Sequence, residues 1–350
     1  MDEENEIQDL LLCKKNILTE EEALLVFKRI CRQLDHKDNL FLDLNQLKLY
    51  CYNGYCNKYL RPKYWKLFLG YFPKNKFKYD HFIKSRRKHY KFYYENAIRQ
   101  KNIKLLCDRI INNDIDRTIL FPFTVKENNV EKIHCKFLDS DNSSLNFSSS
   151  HRDSIKRILL TYKITNSSIG YVQGMNMILI PIYYVMINSI DEEDRLYAEE
   201  DSFFCFYNLM AEIGENFIQD MDFDKENGIR SKMNNVFKLL KLADSHLYNS
   251  MEEKGLLNNF FHFRWISLLL SHEFSLDKVI LLWDKFLSDY NRFEMVTFCA
   301  VSILIDMKDT LICSDFETCM VELQSCNKKN IDLIFKLADK LRNELRNMLN

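Results

Sequence analysis

The segment LDKVILLWDKFL, residues 276–287, sets the expectation for the whole chain, because its apolar side chains recur at the spacing of an α-helix. The apolar positions are Leu276, Val279, Ile280, Trp283, Phe286 and Leu287. With 3.6 residues per turn, these side chains share one face of a helix. The segment therefore predicts an amphipathic helix whose apolar face joins a core.

Three further segments carry helix signals. Residues 19–34 open on a Thr-x-x-Glu capping box, and residues 150–162 open on a serine followed by Asp153. A last helix is predicted to begin after Asn330, whose side chain can cap it. The inward positions of that helix are Ile331, Ile334, Phe335, Ala338, Leu341 and Leu345. Helical periodicity is thus predicted near both ends of the chain and in between.

Turn-forming residues are scarce in this chain of 350 residues. It has 7 Gly and 4 Pro, so 11 of 350 positions, about 3%, hold residues that average proteins use at about 12%. A coding bias against GC-rich codons would have the same effect. Strand signals are confined to the alternation of Ile133, Cys135 and Phe137, which we interpret as an extended loop segment. The composition, 47% apolar, favours long helices joined by polar loops.

Positive and negative charges nearly balance. The 49 basic and 50 acidic side chains leave a net charge of −1, so no global field would draw the chain to nucleic acid or to an anionic membrane. Two local runs stand out, since eight of the nine charged side chains at 84–104 are basic and thirteen of the fifteen at 191–226 are acidic. We interpret both as solvated helix faces, with contact of the basic run to phosphate or lipid headgroups as the alternative.

Neither a secretory signal nor a transmembrane segment is expected. The longest apolar stretch, residues 177–187, is 11 residues long and contains Pro181, whereas a membrane-spanning helix needs roughly 20. The 11 cysteines include no C-x-x-C pair, and Cys51 and Cys56 have no second pair or histidine at zinc-site spacing. The sequence predicts a soluble, intracellular protein with reduced thiols and no metal site.

Three short motifs follow one another along the chain: RPKYW at 61–65, INNDIDRT at 111–118 and YVQGMN at 171–176. Each alone has an ordinary structural explanation. The arginine and tryptophan of the first can stack, the aspartate and arginine of the second can form a helical ion pair, and the glutamine of the third can be a buried amide. Because short motifs often match by chance, the inference depends on their combination and order.

In that combination the chain resembles the TBC domain, the catalytic module of activators of Rab-type small GTPases. The signatures of that family are R-x-x-x-W, I-x-x-D-x-x-R and Y-x-Q-G-M, and every defining residue is present. FFHFRWISLLL at 260–270 is similar to the family's tryptophan segment, and residues 272–289 are similar to the helix with its W-D pair. The likeness covers roughly residues 52–312, and DYNRFE at 289–294 suggests a small member, little more than the domain.

The resemblance implies an all-α, TBC-type fold of about 14–16 helices with no substantial sheet. It also implies that Arg117 is an arginine finger and Gln173 a glutamine finger, both reaching into a partner GTPase. These residue types suit the chemistry, because GTP hydrolysis needs a cation beside the phosphoryl oxygens and a group that orients the attacking water. An arginine stays charged and presents its N–H donors in a planar fork, and an amide both donates and accepts hydrogen bonds.

Six further residues are predicted to support the fingers: Asp114, Tyr171, Gly174, Met175, Arg61 and Trp65. The aspartate would fix either the neighbouring loop or the arginine itself. The glycine would permit close backbone approach, while the tyrosine and methionine would supply packing. We interpret the arginine and tryptophan of the first motif as scaffold rather than chemistry.

The implied partner is a GTP-bound Rab, which itself binds GTP and Mg²⁺, so the chain needs no cofactor of its own. It would supply residues in trans without independent turnover, and it would act in vesicle trafficking, in the cytoplasm or at the periphery of endomembranes. The alternative is a non-catalytic TBC-type adaptor that binds Rab. A second alternative is an unrelated helical scaffold, which the absence of a 34- to 47-residue repeat disfavours.

The predicted organisation has three parts. Residues 1–51 form an acidic lead and helical extension, residues 52–312 form the TBC domain, and residues 313–350 form C-terminal helices that pack on it. An inserted polar loop spans 124–150, ending in the Ser/Asn-rich tract DSDNSSLNFSSS at 139–150. Two departures from the family are a proline that lies later than usual, Pro122, and Met177 where an acidic residue is common.

Overall fold

A computed structural model of the chain describes residues 44–56, 60–73, 79–99, 109–118, 151–217, 228–326 and 329–349. The predicted helix at 19–34, the extended segment at 133–137 and the polar insertion at 124–150 lie outside the described residues. Within the described residues there are sixteen α-helices and no strand, which confirms the all-α prediction.

The chain divides into two compact units, Met1–Ala211 and Glu212–Asn350. The helices of the first unit are α1 (Leu44–Tyr50), α2 (Arg61–Phe68), α3 (Tyr79–Arg99), α4 (Arg109–Arg117), α5 (His151–Thr165), α6 (Met175–Ile187), α7 (Glu192–Leu196) and α8 (Ala198–Ile213). A π-helical turn, Cys51–Tyr55, follows α1. The last two residues of α8 belong to the second unit.

Helix α6 is the central element of the first unit. It packs against α2, α4, α5 and α7, and ten of its thirteen residues are buried, so it is apolar nearly all round. Pro181 lies inside it, and because proline has no N–H, one rung of the helical hydrogen-bond ladder is missing there. Since α6 is buried on most sides, its position determines where these four helices lie.

Helix α5 confirms the prediction from residues 150–162 and extends it to Thr165. Its side chains Ile155, Ile158, Leu159 and Tyr162 are all completely buried. Asp153 lies in the first turn, where a negative charge favours the positive end of the helix dipole. The helix therefore forms where the apolar period and the acidic first turn predict it.

Several charged side chains of the first unit are buried with partners. Lys66 is 0% exposed, and its Nζ donates to Asp194 Oδ1 at 2.8 Å and to Asp201 Oδ2 at 2.7 Å. Arg87 reaches Asp201 through Nε and Nη2, both at 3.0 Å, and the hydroxyl of Tyr71 donates to the same carboxylate at 2.6 Å. We call Lys66, Arg87, Asp194 and Asp201 the buried ion cluster.

The charge in this cluster is stabilised by mutual attraction. Burial disfavours the Lys66 ammonium, but the charges of Asp201 and Asp194 outweigh burial and raise the pKa of Lys66 to about 12. The same attraction outweighs burial at Asp201, whose pKa is lowered. Arg157 and Glu199 form a second buried pair, in which Nε donates to Oε1 at 2.8 Å and Nη2 donates to Oε2 at 2.6 Å.

The two charged runs are therefore not simply solvated faces. Arg87 of the basic run is 7% exposed, and Asp194, Glu199 and Asp201 of the acidic run are at most 4% exposed. Arg87 of α3 pairs with Asp201 of α8, 114 residues further along the chain. Asp194 and Glu199 pair instead with basic side chains outside the basic run, namely Lys66 and Arg157. Ion pairing with distant segments explains why charges that look solvated in sequence are buried.

The second unit contains eight more α-helices. They are α9 (Ile229–Ala243), α10 (Ser245–Glu253), α11 (Phe263–Ser267), α12 (Leu276–Ser288), α13 (Glu294–Asp306), α14 (Lys308–Cys313), α15 (Phe316–Leu323) and α16 (Ile331–Leu349). Short 3₁₀ turns occur at Gly214–Phe217 and Leu256–Asn258. Helix α13 packs against α9, α11, α14 and α16, so it is the central helix of this unit.

The two predicted amphipathic helices of this unit are confirmed. In α12 all apolar stripe positions are buried except Leu276, which is half-buried, and Trp283 Nε1 donates to the carbonyl of Leu269 at 3.1 Å. In α16 all six predicted inward positions are buried. Asn330 Oδ1 accepts from the N–H of Asp332 at 3.0 Å, as its predicted capping role requires.

Candidate functional site

Helix α4 presents Arg117 at its last residue. Ile111, Asp114 and Ile115 of this helix are buried, whereas Arg117 lies on the exposed side. Among the described residues, no acidic side chain forms an ion pair with Arg117. The helix thus anchors one face in the core and leaves a guanidinium open to solvent, as a group that acts on a partner must be.

Gln173 lies in the short loop before α6. Its side chain is exposed and makes no hydrogen bond to another described residue. The loop turns at Gly174, whose φ of 95° is in the left-handed region, where a side chain would be strained. The buried Met175 closes the turn, because its Sδ accepts from the N–H of Val172 at 3.3 Å.

Asp114 joins the Arg117 helix to the Gln173 loop. Its Oδ2 accepts from the hydroxyl of Tyr171 at 2.7 Å and from the backbone N–H of Gly174 at 3.0 Å. Asp114 was expected to fix either the neighbouring loop or the arginine itself, whereas these two contacts of its carboxylate are to the Gln173 loop, 57 and 60 residues away in sequence. Tyr171 was predicted to act by packing, and it is buried, but its hydroxyl also binds the carboxylate.

A second connection runs between the same two segments. Thr118 Oγ1 donates to the carbonyl of Asp114 at 2.6 Å, and Asn176 Nδ2 donates to Thr118 Oγ1 at 2.6 Å. Both residues stand in the motifs quoted from the sequence, yet sequence reasoning gave them no role. Thr118 directly follows Arg117 and Asn176 stands three positions after Gln173, and this proximity was the signal available.

Two further residues fix the surroundings of the site. Asp116, next to Arg117, accepts from Arg152 Nη1 at 2.7 Å, so its carboxylate is engaged by α5. Trp65 is completely buried in α2, which packs on α6, and Arg61 Nη2 donates to the carbonyl of Cys56 at 3.3 Å. This placement agrees with the interpretation of Arg61 and Trp65 as scaffold.

A model of the Rab-GTPase-TBC domain family matches residues 58–312. The chain belongs to this family. TBC1 domain family member 13 of Mus musculus is 41% identical over 192 residues, which is 55% of this chain and 48% of that protein. The GTPase-activating protein GYP1 of Saccharomyces cerevisiae is 27% identical over 275 residues, 73% of this chain and 39% of that protein. The chain thus spans about half the length, or less, of these curated relatives.

The fold of this TBC-family chain also resembles solved structures. The crystal structure of the Ypt/Rab-GAP domain of Gyp1p gives a TM-score of 0.70 at 25% identity, covering 91% of this chain and 98% of that one. A flagellar RabGAP TBC domain from Chlamydomonas gives a TM-score of 0.59 at 18% identity. Among the described residues, no helix has both the length and the hydropathy that a membrane span requires.

Proposed function

We propose that this TBC-family protein accelerates the hydrolysis of GTP bound to a Rab GTPase, with Arg117 and Gln173 as the two residues that it inserts. The observation that carries the proposal is the joint exposure of these two side chains on segments that Asp114 holds together. Family membership supports a Rab as the partner. GTP and Mg²⁺ would be held by the Rab, so this chain would contribute side chains only.

The chemistry follows from the two side chains. The Arg117 guanidinium would neutralise the charge that accumulates on the phosphoryl oxygens as the bond to the leaving group breaks. The Gln173 amide would accept from the attacking water with its oxygen and donate with its nitrogen. An arginine finger is worth ~10³ to 10⁵ in rate, or about 4 to 7 kcal/mol of barrier. Activity of this kind would regulate vesicle trafficking at endomembranes.

The first test is a screen of purified, GTP-loaded Rab GTPases, scored by phosphate release in the presence and absence of the full chain. We expect at least one Rab to respond. Arg117→Lys and Gln173→Ala should each lower the stimulated rate by at least ~10²-fold, the scale for one preorganised donor. Arg109→Lys, at the exposed start of the same helix, and Gln324→Ala, an exposed amide in the second unit, are the matched controls.

Binding of the same Rab, loaded with a non-hydrolysable GTP analogue, distinguishes activation from an adaptor role. If the fingers act in the transition state, Arg117→Lys should change Rab affinity much less than the rate. A chain that binds Rab but leaves hydrolysis at its basal rate would be an adaptor. Equal stimulated rates for wild type and Arg117→Lys would remove Arg117 from the mechanism.

A further inference from the structure

Thr118 closes the end of the Arg117 helix. Its N–H donates to the carbonyls of Asp114 and Ile115 at 3.0 and 3.1 Å, and its hydroxyl donates to the Asp114 carbonyl at 2.6 Å. These bonds continue the helical turn one residue beyond Arg117. The backbone on both sides of the guanidinium side chain is therefore held.

Asn176 approaches from the other segment. It is the second residue of α6, three positions after Gln173, and is 3% exposed. The only proton of the Thr118 hydroxyl is directed at Asp114, so Oγ1 can only accept from Asn176. This fixes the orientation of the amide, with Nδ2 toward Thr118 and Oδ1 away from it.

The amide oxygen of Asn176 indicates why an amide, and not an apolar side chain, stands at this position. Oδ1 is buried, and it has no hydrogen-bond partner among the described residues. A buried acceptor without a partner costs free energy, so an apolar residue of similar size would suit the packing at least as well. What an apolar residue would not supply is the hydrogen bond to Thr118.

We infer that Thr118 and Asn176 are positioning residues, which hold the end of α4 against the start of α6 so that Arg117 and Gln173 meet one nucleotide in a fixed arrangement. This inference rests on the proposed function. The Thr118–Asn176 bond uses different side chains from the Asp114 bonds to Tyr171 and Gly174, so the two connections act in parallel. Both connections add to the restraint that the packing of α4 against α6 places on the relative position of the two segments.

The variants that test this inference are Thr118→Val, which removes the hydroxyl at nearly constant shape, and Asn176→Leu, which removes the amide. Thr118→Ser keeps the hydroxyl and should rescue. Thr165→Val is the matched control, because Thr165 also ends a helix and donates back to residue i−4, with Oγ1 2.8 Å from the Thr161 carbonyl. Among the described residues, no side chain donates to the Thr165 hydroxyl.

The kinetic measurement is single-turnover hydrolysis by the Rab that responds fastest in the screen, as a function of the concentration of the full chain. We expect Thr118→Val and Asn176→Leu to lower the plateau rate about tenfold, the order expected when reacting groups are slightly misplaced. The half-saturating concentration should stay within about twofold, since the interface is otherwise intact. Thr118→Ser and Thr165→Val should keep the wild-type plateau.

A second measurement needs no partner. Amide hydrogen exchange over residues 171–177 should become about tenfold faster in Thr118→Val and Asn176→Leu than in Thr118→Ser. In the first two variants the Thr118–Asn176 hydrogen bond is absent, so local opening no longer has to break it. Unchanged exchange in both variants would overturn the inference, as would a wild-type plateau rate. A rate that falls only in step with the melting temperature would also overturn it. Failure of the proposed function is seen separately, in Arg117→Lys and Gln173→Ala.

Discussion

Two arginines of the first unit, Arg87 and Arg117, lie in opposite environments. Arg87 is 7% exposed and donates to Asp201 and Glu193 through three of its nitrogens, whereas Arg117 is exposed and has no ion pair among the described residues. Attraction by Asp201 raises the pKa of Arg87 despite its burial. The same side chain is thus fully paired where it holds helices together and left open where it can meet a partner.

The difference shows how charge divides between stability and function in one fold. A buried ion that loses its partner leaves an uncompensated charge, so the cluster around Asp201 should be sensitive to single substitutions. An exposed side chain that makes few contacts should be replaceable without loss of stability. Stability and activity should therefore respond to different residues, and four measurements of unfolding can test that separation.

The largest loss of stability is expected for Asp201→Ala. This change leaves Lys66 and Arg87 buried with one shared carboxylate fewer, and we expect the free energy of unfolding to fall by about 3 to 5 kcal/mol in denaturant titrations. The control is Glu95→Ala, which removes the exposed pair with Lys91 and should cost less than about 0.5 kcal/mol. Equal losses in the two variants would contradict the comparison.

Trp283→Ala tests whether removal of a buried apolar group lowers stability by a similar amount. The indole is completely buried, and its removal should lower the free energy of unfolding by about 3 to 5 kcal/mol. Leu281→Ala, at an exposed position of the same helix, should change stability by less than about 1 kcal/mol. A denaturant midpoint for Trp283→Ala close to that of wild type would mean that the stripe does not face a core.

Glu200, which precedes Asp201 of the buried ion cluster in the chain, provides a pH test of burial. Burial, followed by the charge of Glu199, raises the pKa of Glu200 from 4.5 to about 8, so the folded state favours the protonated form. The stabilisation is complete below pH 4.5 and is lost as the pH rises toward 8. Glu200→Gln should therefore be more stable than wild type at pH 8 to 9, by at least about 1 kcal/mol.

At pH 5 the difference between Glu200→Gln and wild type should be small, because most of the stabilisation by the protonated acid is still present there. The measurement is the free energy of unfolding of both proteins at pH 5, 7, 8 and 9. A difference that stays constant over this range would show that Glu200 does not titrate as its burial requires.

The smallest effect on stability is expected for Arg117, the proposed arginine finger. Arg117→Ala should leave the free energy of unfolding within about 0.5 kcal/mol of wild type while it abolishes most of the stimulated hydrolysis. Thermal unfolding and phosphate release should be measured on the same preparation. A melting temperature several degrees lower would assign Arg117 to the structure and would remove the contrast with Arg87.

The sequence predicts elements well where the information is local. Helices α5, α12 and α16 follow from apolar periods and caps that lie within each segment, and the structure confirms them. The exposure of Arg117 and Gln173 agrees with their predicted roles, which came from the order of three motifs. Local patterns were sufficient for the helices because an apolar period and a cap do not depend on which distant segment packs nearby.

The hydrogen-bond partners of polar side chains could not be read from the sequence. Lys66 and Asp201 are 135 residues apart, and Thr118 and Asn176 are 58 apart, so their pairing depends on how helices meet in the fold. A run of charged residues alone predicts exposure to solvent, and the desolvation cost of burying a charge is offset only where a partner of opposite charge lies nearby. The hydrogen bond of the Tyr171 hydroxyl was missed for the same reason, since its acceptor, Asp114, lies on α4, 57 residues away in sequence.

The ion pair between Asp116 and Arg152 has a consequence for protein engineering. Helix α4 packs against α5 and this ion pair joins them, so two positions that are 36 residues apart are held close together. For a flexible loop between fixed ends, the free-energy cost of closure grows only with the logarithm of its length, by about 0.6 kcal/mol for each doubling. Shortening the Ser/Asn-rich tract at 139–150, or replacing it with a reporter peptide, should therefore cost little in stability. That makes this tract a suitable place to label the protein.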